Sequence, residues 1–285
     1  MCIRDSYWSI PCQTALAEAE VEYGDHISPS IYVKFKLKGE PNTFVLIWTT
    51  TPWTLPANMA VAFNPKLHYT QIQVGDASYI VSVGLLDGLV ETMQWGDYQI
   101  IRSLDGDQLA SLEYEHPFCD RSGRLYPADF VEDTAGTGFV HIAPGHGLED
   151  YGLGMQVGLA IYSPVDDKGC LAHTEDLPVE AQMPESLLGL SILEKKGKSE
   201  ANEAVMSLLK ESDSLLLHQD YSHSYPHCWR SKTPVIFRAM DQWFIRIDHE
   251  GFRQRAIDEI DSVDWVPDWG QNRIEGAVKA RPDWC

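Results

Sequence analysis

The sequence predicts an α+β fold built on a barrel-like or strongly bent sheet, and three observations predict it. Short strand patterns follow one another from Ser30 to Ala143, most are separated by Gly, Asp or Asn turn residues, and helical periodicity is confined to the last third of the chain. With 285 residues, 44% hydrophobic and 11% aromatic, the chain can bury a sizeable core as one large domain or two smaller ones.

Taken in order, "SIYVKFKL" (Ser30 to Leu37) alternates Ile31, Val33, Phe35 and Leu37 with polar or amphipathic neighbours, the period of a half-buried strand. "FVLIW" (Phe44 to Trp48) is continuously apolar, as in a strand covered on both faces. Further strands are expected at "YTQIQV" (Tyr69 to Val74), "SYIVSV" (Ser78 to Val83), "YQIIRSL" (Tyr98 to Leu104) and "GFVHIA" (Gly138 to Ala143). Ser199 is placed to cap a helix through Lys210, with Ala201, Ala204, Val205, Leu208 and Leu209 as its apolar face, and a second helix spans Gln254 to Ile260. A joint is expected in His218 to Pro234, after which Trp and Arg become denser.

Composition narrows the function classes. With 22 basic against 42 acidic side chains the formal charge is −20, so the chain as a whole repels a polyanion and any nucleic acid must be gripped locally. No apolar stretch reaches the roughly 18 residues that span a bilayer, and the first residues lack the apolar centre of a signal peptide. The six cysteines are scattered without disulfide-framework spacing, which points to a reducing cytoplasm.

Two stretches are unusual. "WTTTPWTLPAN" (Trp48 to Asn58) closes the apolar strand with three hydroxyls and two prolines; an extended backbone sends Thr49 and Thr51 to one face and Thr50 to the other, and Pro52 removes a backbone donor. "EDTAGTGFVHIAPGHGLEDYGLG" (Glu132 to Gly154) sets a strand bearing His141 between Gly-rich bends that let backbone approach a ligand, then supplies His146, Glu149 and Asp150. Each has a structural alternative. Thr suits strand ends, Thr54 or Asn58 can cap a turn, His141 can be a satisfied core histidine, and Asp150 can complement the dipole of a helix beginning near Leu148.

Together, "WTTTPWTLPANMAVAFNP" and "GTGFVHIAPGHGLEDY" resemble the editing insertion of the isoleucyl-tRNA synthetases. The resemblance runs from "TALAEAEVEY" (Thr14 to Tyr23) through "SYPHCWRSKTPVIFRAMDQWF" (Ser224 to Phe244) to "RPDWC" (Arg281 to Cys285). Valine and leucine relatives carry an acidic residue after "TTRP", where this chain has Trp53. The resemblance implies the barrel-like editing domain of the Val/Ile/Leu synthetases over residues 27–225, a connective segment at 7–26, a return segment toward the catalytic domain at 226–285, and a cloning or assembly scar at 1–6. His-x-Gly-His and Lys-Met-Ser-Lys-Ser, the synthetic-site signatures, do not occur, so ATP and Mg are expected only in the absent synthetic domain and no cofactor is expected for editing.

The implied activity is aminoacyl-tRNA deacylation. Isoleucine and valine differ by one methylene, worth only about 1–3 kcal/mol in an apolar pocket, and the isoleucine enzyme is the standard illustration of that limit. A second pocket therefore hydrolyses the valyl ester on the tRNA(Ile) 3′ end and excludes isoleucine. By resemblance Thr49, Thr50 and Thr51 hold ribose, acyl group and water; Trp53, Thr54, Asn58 and His146 bind or support; Asp150 pairs with the α-ammonium; and His141 forms the wall that rejects the extra methylene, with water positioning secondary. Expected partners are the tRNA(Ile) acceptor end, the noncognate valyl ester and the rest of a parent synthetase, with no membrane. A non-catalytic acceptor-end module or an inert truncation is the alternative.

No metal site is expected. His116 with Cys119, the His141–His146–Asp150 group, and His223 with His227 and Cys228 fall short of a four-ligand pattern, and Ser231 stands where a Cys-x-x-Cys pair needs its second thiolate. "GLGMQVG" (Gly152 to Gly158) lacks the dinucleotide spacing. The tryptophans after Trp265 read as packing against an absent domain or, less favoured, as RNA-stacking groups.

Overall fold

The computed structural model describes residues 2–194, 197–281, 283 and 284. Met1 of the expected scar and Pro282 and Cys285 of "RPDWC" lie outside the described residues. The chain divides into two compact units, one of residues 5–239 and one of residues 1–4 with 240–285.

Thirteen strands and six α-helices occur in the order β1 (Cys2–Ser9), β2 (Thr14–Leu16), β3 (Val21–Leu37), β4 (Thr43–Thr49), β5 (Ala60–Phe63), β6 (Tyr69–Val74), β7 (Ala77–Ser82), α1 (Leu86–Thr92), β8 (Gln99–Leu104), α2 (Gly106–Ala110), β9 (Glu113–Glu115), β10 (Ser122–Pro127), β11 (Phe139–Ile142), α3 (Leu148–Val157), α4 (Glu200–Glu211), β12 (Leu215–Cys228), β13 (Ile236–Gln242), α5 (Phe252–Ser262) and α6 (Trp269–Ala280) among the described residues. The fold is α+β, centred on a ten-stranded sheet of order β11-β5-β10-β9-β3-β4-β7-β6-β8, with β12 branching from β3. Two contacts, β10 with β5 and β4 with β7, are parallel and the others are antiparallel.

β3 is the spine. Its second half shows the expected alternation, with Ile31, Val33, Phe35 and Leu37 buried, and it pairs with β4, whose Val45, Leu46 and Ile47 are fully buried. Its first half starts at Val21, well before the expected Ser30, because Val21 to His26 pair with β12 in a largely polar ribbon. Such a ribbon has no core-facing apolar row, so hydrophobic periodicity is silent there. β12 occupies much of the stretch expected to hold the joint: His218 to Cys228 is strand.

One apolar cluster gathers Tyr32, Leu46, Ile72, Tyr79, Val81, Leu86 and Leu89; another gathers Ala60, Ala62, Ala128, Val131, Ile142 and Leu153. The second cluster ties β5 and β11 to α3, which sets the position of the Gly-rich loop between β11 and α3. Ser199 caps α4 as expected, its hydroxyl accepting the Asn202 N–H at 3.3 Å, and the buried stripe includes Ala201, Asn202, Val205, Met206 and Leu209. Asn202 and Met206 are the unexpected members, and Asn202 is the polar one.

In the smaller unit, Arg253 of α5 donates to the Val278 and Lys279 carbonyls at the end of α6, and Ile245 and Trp284 exchange backbone hydrogen bonds. Trp243, Trp269 and Trp284 are exposed. Among the described residues no helix is long and apolar enough to cross a membrane.

Candidate active site

The apolar run of β4 stops at Thr49, and the backbone turns at once into a buried 3₁₀ turn, Pro52–Ala57. Thr51 is its cap, with φ −131° and ψ 69°, and Pro52 takes the first helical position, where a missing N–H costs no hydrogen bond. The Thr51 N–H donates to Thr49 Oγ1 at 3.1 Å, while the Thr51 carbonyl accepts both the Thr54 N–H at 3.0 Å and the Thr54 hydroxyl at 2.8 Å. The hydroxyls therefore satisfy a strand end that would otherwise leave buried polar backbone. Asn58 closes the turn, its side-chain amide donating to the Ala60 carbonyl at 2.8 Å.

The turn runs into β5, β5 pairs with β11, and His141 opposite Val61 is thereby carried beneath the threonines. His141 Nε2 lies 2.9 Å from Thr54 Oγ1 and Nδ1 lies 3.5 Å from Asn58 Nδ2. Because the single Thr54 hydroxyl proton goes to Thr51, Thr54 accepts from His141; the Nε2–H tautomer follows. Burial lowers the His141 pKa to about 4, with His146 adding to the effect, so the ring is neutral near pH 7. Tyr114 completes the chain by donating to Asn58 Oδ1 at 2.6 Å.

Beyond β11 the loop is fixed from several sides. Asp150, in the first turn of α3, accepts the Ala143 N–H through Oδ2 at 2.8 Å, and burial raises its carboxyl to about 7 despite that bond. Gly145 sits where a Cβ would collide with the Tyr162 carbonyl and Ser163, so only glycine permits this approach. His146 Nδ1 donates to the Phe237 carbonyl at 2.9 Å, and its ring meets Trp53 edge-on at 5.0 Å. Burial lowers the His146 pKa to about 4 as well. Its buried Nε2 has no partner among the described residues.

The predicted residues thus meet by packing: Thr54 and Asn58 against His141, and Trp53 against His146. The open space beside the threonines is lined differently. A cavity of about 40 Å³ is lined by Thr50, Thr51 and Trp53 together with His26, Glu194 and Tyr225 among others, while His141 and Asp150 do not line it. Thr49 is buried beneath, engaged in the Thr51 contact.

Two positions that hold the turn escape the sequence reading. Arg121 threads its guanidinium among three backbone carbonyls, those of Asn58 at 3.1 Å, Ala181 at 2.7 Å and Pro56. Nothing in "CDRSG" announces this. Asn202 accepts the Trp53 N–H at 2.9 Å, joining α4 to the 3₁₀ turn; its signal was a polar residue on the apolar stripe of a helix. Asn202→Ala strands a buried N–H and is expected to cost about 1–3 kcal/mol, measured by denaturant unfolding.

The candidate metal groups are used otherwise. His116 donates through Nε2 to the Leu55 carbonyl at 3.0 Å and accepts the Cys119 N–H at Nδ1, while burial raises the Cys119 thiol to about 11. Among the described residues no three His, Cys, Asp or Glu side chains are grouped to hold a metal.

The family model for class I tRNA synthetases (I, L, M and V) matches residues 3–285. Isoleucine–tRNA ligase of Thermotoga maritima is 46% identical over 285 residues, 99% of this chain and 29% of that protein. Isoleucine–tRNA ligase of Kosmotoga olearia is 46% identical over 283 residues, again 99% of this chain and 29% of the relative. The chain spans 29% of the length of these relatives. Among solved structures, the P. knowlesi cytosolic leucyl-tRNA synthetase editing domain matches 69% of this chain and 97% of that chain at 12% identity and TM-score 0.46. GlLeuRS-CP1 matches 67% and 81% at 15% identity and TM-score 0.38.

Proposed function

The chain belongs to the class I tRNA synthetases (I, L, M and V), and from that membership we propose that it is an editing deacylase that hydrolyses valyl esters on the 3′ end of tRNA(Ile) and spares isoleucyl esters. The observation that carries the reading is the hydrogen-bonded chain from Tyr114 through Asn58, His141 and Thr54 to Thr51, which makes one device of two segments more than 80 positions apart.

An aminoacyl ester is already activated, so the site works by orienting substrate and water and by stabilising charge on the carbonyl oxygen. Thr50 and Thr51 offer hydroxyls and backbone at the cavity edge. Thr49 fixes the Thr51 backbone, and Trp53 and Asn58 hold the turn through Asn202 and Tyr114. His141, neutral and with both ring nitrogens facing protein groups, is a poor general base; its part is to fix the shape that accepts valine and rejects one further methylene. Asp150, which does not line that cavity, is assigned the α-ammonium, once ionised, from the family resemblance alone, and His146 supports Trp53. The remaining contacts to tRNA belong to the rest of a parent synthetase.

The test is release of amino acid from valyl-tRNA(Ile) and isoleucyl-tRNA(Ile) at high protein concentration. Faster valyl release, above the protein-free rate, is expected. Equal release of both contradicts the reading, and binding without release favours an acceptor-end binding module.

A further inference from the structure

We propose that the aromatic and histidine face of the β3–β12 ribbon is a stacking track for the unpaired 3′-terminal nucleotides of an RNA, leading them to the Thr50–Thr51 cavity; this rests on the function proposed above. The register puts His26 opposite His223 and Ser28 opposite Tyr221, so these side chains share one face, and the pairing of Tyr32 with Trp48 extends that face onto β4.

Along it the rings follow one another without a gap. Trp48 meets Tyr221 at 5.2 Å between centroids, Tyr221 meets His223 at 5.6 Å, His223 meets Tyr225 at 5.4 Å, and His26 meets Tyr225 at 5.3 Å. Same-face residues on a strand are about 6.6 Å apart, and the rings alternate between edge-on and tilted contacts, with interplanar angles of 86°, 39° and 74° from Trp48 to Tyr225, so that bases would meet ring edges as well as ring faces along the row.

The two ends of the row are open. One is a groove of about 340 Å³ lined by Tyr32, Trp48 and Tyr221 with Gly88 and Leu89 of α1. The other is the cavity that His26, Ser28 and Tyr225 share with Thr50 and Thr51.

The chemistry of the face selects the occupant. The net charge of −20 disfavours any long polyanion, a duplex most, so an occupant must be short and held locally. Unpaired bases are held by their π faces, and this row offers aromatic rings and hydroxyls. The carboxylates bordering it are few: Glu194 is tied to His26 at 3.2 Å, and Asp220 lies at the groove. His223 is held by Ser28 at 3.0 Å, and burial with nearby His26 lowers its pKa, which favours its uncharged ring. An unpaired terminus entering at the groove and stacking toward Thr50 delivers its last ribose to the cavity.

The measurement is fluorescence anisotropy of a labelled single-stranded RNA, 5′-ACCA-3′, titrated with the whole chain. Tyr221 is 41% exposed and Tyr23, on the opposite side of the same ribbon, is 67% exposed, so both tolerate substitution. Tyr221→Ser is expected to weaken binding roughly 5- to 100-fold while Tyr23→Ser leaves it unchanged. No binding by the unsubstituted chain, or equal loss in both variants, overturns the track.

Kinetics separate this proposal from the function it rests on. Tyr221→Ser should raise KM for valyl-tRNA(Ile) and leave hydrolysis of 3′-O-valyl-adenosine untouched, since that ester is too short to reach the groove. Unaltered KM with intact hydrolysis sinks the track alone; absence of hydrolysis by the unsubstituted chain sinks the editing reading, while the anisotropy result still decides the track.

Discussion

Asp150→Ala is expected to lower kcat/KM for valyl-tRNA(Ile) deacylation by roughly 10- to 100-fold, the loss of one charge-assisted hydrogen bond to the substrate ammonium. The same residue sets the pH dependence. Its carboxyl is raised to about 7, so in the free protein it is neutral below that pH and cannot hold a cation. The α-amino group of the ester loses its proton near about 7.7–8. Activity above the hydroxide background should therefore rise as pH passes 7 and level or fall above 8, and Asp150→Asn should remove the rising limb.

The stability consequence has the opposite sign. The folded pKa lies above the ordinary carboxylate value near 3.9, so the folded state holds its proton more tightly, and Asp150 costs stability progressively as pH rises from about 4 through 7. Above pH 7, Asp150→Asn should raise the thermal midpoint while slowing release to about the extent that Asp150→Ala does. A gain of activity, or a fall in midpoint at pH 8, would remove Asp150 from the role of cation acceptor.

The largest stability effect is expected at Arg121. Arg121→Ala leaves the carbonyls of Pro56, Asn58 and Ala181 without their donor, at a cost of about 3 kcal/mol or more. For a unit of this size that lowers the thermal midpoint by roughly 6–12 °C. Arg121→Lys should recover little, because one ammonium cannot span three carbonyls that a planar fork reaches together. Scanning calorimetry of the three proteins decides it; a shift under about 2 °C for Arg121→Ala would show that the guanidinium is dispensable to the turn.

Much of the fold was legible because its core strands carry simple patterns. The alternation at Ile31 to Leu37 and the solid run at Val45 to Ile47 correspond to one buried stripe and one strand buried on both faces. The ribbon from Val21 to His26 was not legible, because its partner is another polar strand, and the alternating rings of Tyr221, His223 and Tyr225 looked like a joint rather than a period of two. Sequence picked out Trp53, Thr54, Asn58, His141 and His146, which the fold brings into contact, but it did not show how they are arranged. By resemblance Thr49 to Thr51, His141 and Asp150 were expected to serve one substrate; in the fold, Thr54 and Asn58 are the residues that reach His141, and Thr50 and Thr51 line a cavity with His26, Tyr225 and Glu194 that neither His141 nor Asp150 lines. Arg121 and Asn202 act on backbone atoms, and backbone atoms leave no imprint on residue type.

The central claim is that the threonine turn and the His141 strand act as one catalytic unit through the Thr54–His141 bond, and a double-mutant cycle tests it most directly. Deacylation of valyl-tRNA(Ile) is measured for Thr54→Val, His141→Phe and the double variant, with unfolding curves for each. If the bond transmits the effect, the double variant is no slower than the slower single one, because each substitution removes the same contact. Rate losses that simply multiply would mean that the two segments act independently, and would contradict the account.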